Sequence, residues 1–182
     1  CRAALAACPS MEGLDLASRV STRESYSWGD PRARHHIVAY DYGIKRNILR
    51  LFDENDCRVT VVPADTSAES AMAENPDGIF LSNGPGDPDA VAYAPKIIRE
   101  LTATGTPMFG ICLGHQLLGL TFGGSTAKMP YVHRGGNHPV KEVETGRVLI
   151  TSHTHGFAGE GDERSVRGAS AHQPTHGALP PP

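Results

Sequence analysis

The chain has 182 residues, with 17 Lys and Arg against 20 Asp and Glu, so its formal net charge is −3 at pH 7. That length suits one domain with appendages, and the pI near 6.3 excludes the basic surface of a nucleic-acid-binding protein. No apolar run approaches the ~18 residues of a membrane span, and no secretory signal pattern is present, so we expect neither a nucleic-acid nor a membrane partner. The four cysteines, Cys1, Cys8, Cys57 and Cys112, have no C-x-x-C spacing, which favours a reducing, cytoplasmic setting.

Residues 1–34 have the pattern of a junction rather than of a folded core. Arg2–Ala7 and Leu14–Val20 are each long enough for a short helix, and Ser27–Pro31 then breaks the pattern. We expect Trp28, in that break, to anchor the segment by packing rather than to bind a ligand.

From Ile37 onward, short apolar runs alternate with helical patterns. The runs are rich in Val, Ile, Leu and Phe without strict alternation, as expected for strands covered on both faces. This order predicts an α/β fold, a doubly wound, mostly parallel sheet with flanking helices, which binds ligands at the carboxyl ends of its strands. The predicted strands are Ile37–Tyr42, Arg58–Ala64, Gly78–Ser82, Pro107–Cys112 and Arg147–Thr151. The predicted helices are Lys45–Glu54, Ala68–Glu74 (after a capping-box spacing at Thr66–Glu69), Ala90–Thr104 and Leu113–Phe122.

Residues 158–182 differ from the rest of the chain. They contain only Val166 and Leu179 as aliphatic residues larger than Ala, and they end in three prolines. Such a segment cannot bury a face, so we predict a tail that is disordered or loosely attached.

The run Gly110-Ile111-Cys112-Leu113-Gly114 joins an apolar strand directly to an amphipathic helix. Small residues on both sides of Cys112 are typical of a nucleophile elbow, whose tight turn excludes bulky flanking residues. A cysteine at a helix N-terminus is also favoured as a thiolate. The alternative is a buried structural cysteine with glycines for close packing.

The run Leu81–Pro88 closes another predicted strand with a glycine-rich loop. Glycines let backbone N–H groups approach a developing oxyanion. By itself the run is better explained as an ordinary turn before a helix that Asp87 or Asp89 caps. Paired with the Cys112 elbow on a nearby predicted strand, the run favours the oxyanion interpretation. We therefore expect Gly84→Val to damage chemistry more than folding.

These runs together resemble the class I glutamine amidotransferases, and more narrowly the small, glutaminase chain of the carbamoyl phosphate synthetases. The runs that carry the resemblance are Ser82–Pro88, Gly110–Gln116, Val38–Arg50, His133–Val140 and His155–Phe157.

The resemblance predicts a domain organisation. Residues 35–157 correspond to the amidotransferase domain, which we expect to be incomplete at its C-terminus. Residues 1–34 correspond to the junction with an absent N-terminal domain. Residues 158–182 form an atypical tail, and their abrupt change of composition is typical of a truncated or frame-shifted end.

The resemblance implies a role for each matching residue. Cys112 is the nucleophile that attacks the side-chain amide of glutamine. Leu113 and Gly84 supply the backbone N–H groups of an oxyanion hole. The remaining implied substrate contacts are Gly86, Gln116, Gly156, Phe157 and Thr154, the last standing where the family has Asn.

The resemblance also implies partners. L-glutamine is the substrate, and the large synthetase chain is the protein partner that receives the ammonia and makes carbamoyl phosphate for arginine and pyrimidine biosynthesis. We expect no cofactor in this chain, because ATP and magnesium belong to the large chain in this family and no P-loop is present.

One part of the family's catalytic machinery is missing. A cysteine nucleophile needs a base and an orienting acid, which the family takes from a His-x-Glu pair, and none of the nine histidines is followed by Glu two residues later. The alternative to a glutaminase is therefore an inactive remnant that at most binds glutamine or a partner.

The remaining histidines offer a third hypothesis, a metal site. His133, His138, His153 and His155 lie close in sequence but lack a standard zinc spacing, so we predict no metal and interpret His133, His138 and His155, like His115, as structural.

Overall fold

The computed structural model describes residues 10–142 and 145–160. They belong to two compact units, divided between Phe122 and Gly123. Among the described helices, none combines the length and the apolar character needed to cross a membrane.

The first unit is built on a five-stranded sheet. The strand order is β1-β3-β2-β4-β5, in which β1 is antiparallel to β3 and all the other pairs are parallel. The strands are β1 Tyr26–Trp28, β2 His35–Asp41, β3 Cys57–Pro63, β4 Gly78–Leu81 and β5 Met108–Gly110. The order reverses at β2, with β3 on one side and β4 on the other, so the predicted doubly wound α/β fold is confirmed.

Helices cover both faces of this sheet. They are α1 Ala17–Val20, α2 Arg46–Glu54, α3 Ala68–Ala73, α4 Ala94–Ala103 and α5 Leu113–Thr121, with a 3₁₀ helix at Pro88–Ala90. The long helix predicted over 90–104 is therefore split, because Asp87 accepts a hydrogen bond from Asp89 N–H (3.0 Å) and starts a separate turn. The cap of α3 is Ser67, whose Oγ accepts from Ser70 N–H at 3.1 Å, and not Thr66.

The strand residues divide between two apolar layers. Val38 and Tyr40 of β2 belong to one buried cluster with Leu117 of α5, whereas Ala39 belongs to a second cluster with Leu49 of α2. Successive side chains of a strand point to opposite faces, so a strand covered on both sides has no polar face. Each fully buried Leu or Val contributes roughly 1.5–3 kcal/mol.

One further feature of the first unit differs from the prediction. Tyr26–Trp28 forms an edge strand inside the segment predicted as a junction, and its three residues are too few for a recognisable strand pattern. Trp28 packs against the second apolar cluster, which confirms its expected packing role. The predicted helix at Arg2–Ala7 lies outside the described residues.

The second unit contains a long antiparallel pair, β6 Ser125–Lys141 and β7 Val148–Glu160. The predicted strand Arg147–Thr151 is thus the start of β7 and not a member of the parallel sheet. Its exposed residues Val148, Leu149 and Ile150 have no alternation, which is why their pattern imitated a buried strand. Residues 158–160 of the predicted tail belong to β7, and residues 161–182 lie outside the described part of the chain.

Candidate active site

Cys112 occupies a strained turn between β5 and α5. Its φ is 54° and its ψ −109°, and the only other non-glycine residues with positive φ in the described chain are Asp56 and Asn75. Asp and Asn tolerate this region because their short polar side chains bond locally, but cysteine has no such advantage. Such a conformation costs on the order of 1–3 kcal/mol and is concentrated at functional sites. The turn has the geometry of a nucleophile elbow.

The glycines on either side of Cys112 are required by close backbone packing. A Cβ at Gly110 would lie 2.6 Å from the backbone carbon of Gly114, and a Cβ at Gly114 would overlap the carbonyl oxygen of Leu81. Real Cβ atoms do not approach backbone so closely. The elbow therefore excludes larger residues at both positions, as the sequence pattern predicted.

Backbone hydrogen bonds attach the elbow to the end of β4. Ile111 N–H donates to Leu81 O at 3.0 Å, and Gly114 N–H donates to Ser82 O at 3.1 Å. Cys112 is the N-cap of α5, so Leu113 N–H lies in the first helical turn, where backbone N–H groups have no acceptor within the helix. An anion beside Cys112 is favoured there by these donors and by the helix dipole.

Gln116 lies one helical turn after Cys112. Its N–H donates to Cys112 O at 3.0 Å, and its side chain is half-buried. The helix therefore brings Gln116 to the same side of α5 as the thiol, as its predicted role requires.

The loop that carries Gly84 is held by two side chains that sequence reasoning did not single out. Buried Ser82 accepts from Tyr42 N–H through its Oγ at 2.9 Å. The Asn83 side chain donates to Gly43 O at 2.9 Å and accepts from Lys45 N–H at 3.3 Å. These bonds join the loops after β2 and β4, at the point where the strand order reverses. The sequence signal that could have identified Ser82 and Asn83 is their position directly after a buried strand.

Gly84 lies against both Tyr42 and Leu113. A Cβ at position 84 would overlap the carbonyl oxygen of Tyr42 and come within 2.8 Å of Leu113 Cδ2. The two residues predicted to form the oxyanion hole are therefore neighbours. The same contacts argue against the expectation that Gly84→Val would damage chemistry more than folding, because the new side chain would first displace the backbone of the loop.

Gly86 and Asp87 attach the loop to the segment before α1. Gly86 has a φ of 102°, and a Cβ there would lie 2.8 Å from Leu14 O. Asp87 is buried and accepts from Gly13 N–H at 2.8 Å. The structure thus accounts for Gly86 by packing, and its predicted contact with substrate stays a prediction.

The described residues contain one other cysteine, Cys57, at the start of β3. Burial raises the pKa of the Cys57 thiol, and the nearby carboxylates of Asp56 and Asp77 raise it further. Its Sγ donates to Asn55 O at 3.4 Å. Cys57 is therefore kept as a thiol at neutral pH.

The other three predicted substrate contacts lie on β7 in the second unit. Thr154 is exposed and pairs with Arg134, and its hydroxyl donates to the carbonyl of His153 at 2.8 Å. Phe157 is buried, and Gly156 between them is half-buried. The structure thus groups Gly84, Gly86, Cys112, Leu113 and Gln116 in one unit and Thr154, Gly156 and Phe157 in the other.

The family model for glutamine amidotransferase class-I matches residues 38–176. The chain belongs to the class I glutamine amidotransferase family. The matched range begins close to the predicted domain start at residue 35 and continues beyond residue 157. Cys112 is thus the cysteine at the elbow of a glutamine amidotransferase fold.

Two curated relatives match most of the length of this chain. The carbamoyl phosphate synthase small chain of Chlorobaculum tepidum is 56% identical over 161 residues, which cover 87% of this chain and 44% of that protein. The carbamoyl phosphate synthase small chain of Neisseria meningitidis serogroup B is 48% identical over 181 residues, covering 93% of this chain and 48% of the relative. The chain therefore spans about half the length of the curated relatives it matches.

Solved structures share its fold at low sequence identity. A glutamine amidotransferase from Thermotoga maritima matches with a TM-score of 0.57 and 17% identity, covering 76% of this chain and 69% of that chain. A glutamine amidotransferase from Methylobacillus flagellatus matches with a TM-score of 0.54 and 18% identity, covering 69% of this chain and 56% of that chain. At this identity the likeness extends to the fold alone.

Proposed function

We propose that this chain carries the glutamine-hydrolysing function of a carbamoyl phosphate synthase. The observation that carries the proposal is the strained elbow at Cys112, in a chain of the amidotransferase family. The curated relatives named as carbamoyl phosphate synthase small chains support the assignment to this synthase.

The chemistry begins at the Cys112 thiolate, which attacks the carboxamide carbon of glutamine. The N–H groups of Leu113 and Gly84 stabilise the oxyanion of the tetrahedral intermediate, each worth about 2.7–4 kcal/mol when such a donor is removed from an enzyme. The C–N bond then breaks, the nitrogen leaves as ammonia by taking up a proton equivalent to the one that the thiol released, and a γ-glutamyl thioester remains. Water cleaves the thioester to glutamate and regenerates the thiol.

The proposed partner is the large synthetase chain, which receives the ammonia. Bicarbonate and ATP are consumed there, so this chain needs no nucleotide or metal for glutamine hydrolysis. The products of the partner supply arginine and pyrimidine biosynthesis.

A second candidate function is glutamine binding with little or no turnover. The specific observation in its favour is that no histidine in the sequence is followed by Glu two residues later. Removal of one triad member from a hydrolase leaves a residual rate of only ~10³–10⁴-fold above water.

The two candidates are separated by one experiment on the 182-residue chain. A glutamine-like chloroketone should alkylate Cys112, and excess glutamine should protect it, with Cys112→Ala as the control. Glutamate release is measured in parallel, with and without a large synthetase chain. Protected labelling with turnover on the order of 1 s⁻¹ supports the glutaminase, and protected labelling with only a residual rate supports the binding function. Labelling that glutamine does not reduce would contradict both.

A further inference from the structure

Four histidines lie together on one face of the β6–β7 pair. Successive side chains of a strand alternate between faces, so Thr151, His153 and His155 share one face of β7. The register pairs His133 with His155, Gly135 with His153 and His138 with Thr151. A register shift between Gly135 and His138 inserts an extra residue in β6, and this brings His138 opposite Thr151.

The imidazole rings are in mutual contact. The ring centroids of His133 and His138 are 4.9 Å apart, those of His138 and His153 5.0 Å, and those of His153 and His155 5.1 Å. Gly135, opposite His153, has no side chain that would separate the imidazole rings. The ligand nitrogens of His133, His138 and His153 all lie within 4.8 Å of one another.

The ring nitrogens converge on His153 Nδ1. His155 Nε2 lies 3.2 Å from it, and His133 Nδ1 lies 3.5 Å from it. A tetrahedral zinc ion with Zn–N bonds of 2.0–2.1 Å separates its ligand nitrogens by about 3.3–3.4 Å. The two separations from His153 Nδ1 are close to that edge length.

Hydrogen bonds on the far sides of two rings fix which nitrogens carry protons. The Thr151 hydroxyl donates its one proton to His138 O at 3.1 Å, so it accepts from His153 Nε2–H at 2.7 Å. His155 Nδ1–H donates to Phe157 O at 2.9 Å. The nitrogens that face each other, His153 Nδ1 and His155 Nε2, are then both lone-pair atoms.

Two lone pairs at this distance repel each other unless a proton or a metal ion lies between them. A bond from the far ring nitrogen to a hydroxyl or carbonyl is also the usual support of a metal-bound histidine.

We propose that His133, His138, His153 and His155 bind a divalent transition-metal ion of the imidazole-preferring class, such as Zn²⁺. The spacing along the sequence did not predict this site, because the cross-strand register and its shift bring the four rings together. The site uses neither Cys112 nor the loop of Gly84, although His155 donates to the carbonyl of Phe157, one of the predicted substrate contacts.

The test is a titration of the metal-free 182-residue chain with Zn²⁺, read by competition with a chromophoric chelator. Co²⁺ is titrated separately, because a tetrahedral nitrogen site gives intense visible absorption. We expect one metal per chain. We expect His153→Gln to weaken Zn²⁺ binding more than Thr151→Val, which removes only the supporting hydroxyl and should cost about 10–100-fold.

Two control variants address the other histidines. His35→Gln changes an exposed histidine in the first unit, and His172→Gln with His176→Gln changes two outside the described residues; both variants should bind Zn²⁺ as the parent does. Far-UV circular dichroism checks that each variant is folded. If His153→Gln does not fold, Thr151→Val tests the histidine cluster in its place. Zn²⁺ affinity that is unchanged in the folded variants of the cluster, or lost in the control variants, would overturn the proposal.

Discussion

At the scale of the residue, the two described cysteines lie in contrasting surroundings. Cys112 is the N-cap of α5 and takes a positive φ, whereas Cys57 begins a strand and lies beside two carboxylates. The same side chain is exposed to the positive end of a helix dipole in one place and to burial and negative charge in the other.

We therefore expect iodoacetamide to alkylate Cys112 faster than Cys57 at near-neutral pH. The rates are measured by mass spectrometry of the peptides from the folded chain. The comparison is repeated in urea, where both thiols should react at similar rates. Faster labelling of Cys57 in the folded chain would contradict the assignment of Cys112 as the nucleophile.

His36 predicts a pH dependence of stability. The residue is buried, its Nε2 contacts Thr60 Oγ1 at 2.8 Å, and its Nδ1 has no hydrogen-bond partner among the described residues. Burial lowers the pKa of His36 and Arg58 lowers it further, while Glu74 and the backbone of Glu74 and Asn75 offset only part of this effect. The unfolded chain therefore takes up a proton at a higher pH than the folded chain does.

The stability contributed by neutral His36 is fully present above the unfolded pKa of about 6.5 and is lost as the pH falls from there towards the lower folded pKa. We expect the free energy of unfolding in urea to decrease over that range. His36→Gln should remove this part of the slope, whereas His35→Gln, at the exposed neighbouring position, should retain it. Equal slopes in the two variants would show that His36 is not responsible.

At the scale of the element, α5 packs closely against the end of β4 because Gly114 has no side chain. Gly114 lies against the end of β4, while Gly119, one and a half turns later, has nothing within 4 Å of the position of a Cβ. The same residue type thus serves close packing at one place and has no packing role at the other.

This difference gives a matched pair of substitutions. Gly114→Ala should lower the free energy of unfolding by about 1–3 kcal/mol, because the methyl group would displace Leu81. Gly119→Ala should raise it by roughly 0.8–1.0 kcal/mol through helix propensity. Trp28 is the only tryptophan and packs in the first unit, so its fluorescence during urea unfolding reports the effect. Two changes of the same sign would contradict the packing role of Gly114.

At the scale of the whole molecule, the β6–β7 pair has exposed apolar edges. Among the described residues, these strands pair only with each other, and Ile150 is 63% exposed. An unpaired edge with apolar side chains is a template for association with another chain.

We accordingly expect the chain to self-associate as its concentration rises, and Ile150→Lys to reduce this association by placing a charge on the edge strand. Leu51→Lys, which removes a similarly exposed apolar side chain from helix α2, is the control. Sedimentation velocity over a concentration series measures the self-association of both variants. If Leu51→Lys reduces association as much as Ile150→Lys does, general surface hydrophobicity and not the strand edge is the cause.

The sequence by itself determined the parallel part of the fold and the identity of the elbow. The runs around Val38, Val61 and Phe80 are apolar on both faces, and only a sheet covered on both sides buries them. Gly110, Cys112 and Gly114 are adjacent in the chain, so the elbow is a local structure that a short pattern can specify.

The tertiary structure alone decided the features that depend on distant residues. Ser82 and Asn83 hold the Gly84 loop to the end of β2, from which they are separated by about forty positions in the chain. The four histidines meet only because β6 shifts its register against β7. Neither arrangement has a local signature, since hydrogen-bond partners and cross-strand neighbours are fixed by how the chain folds back on itself and not by spacing along it.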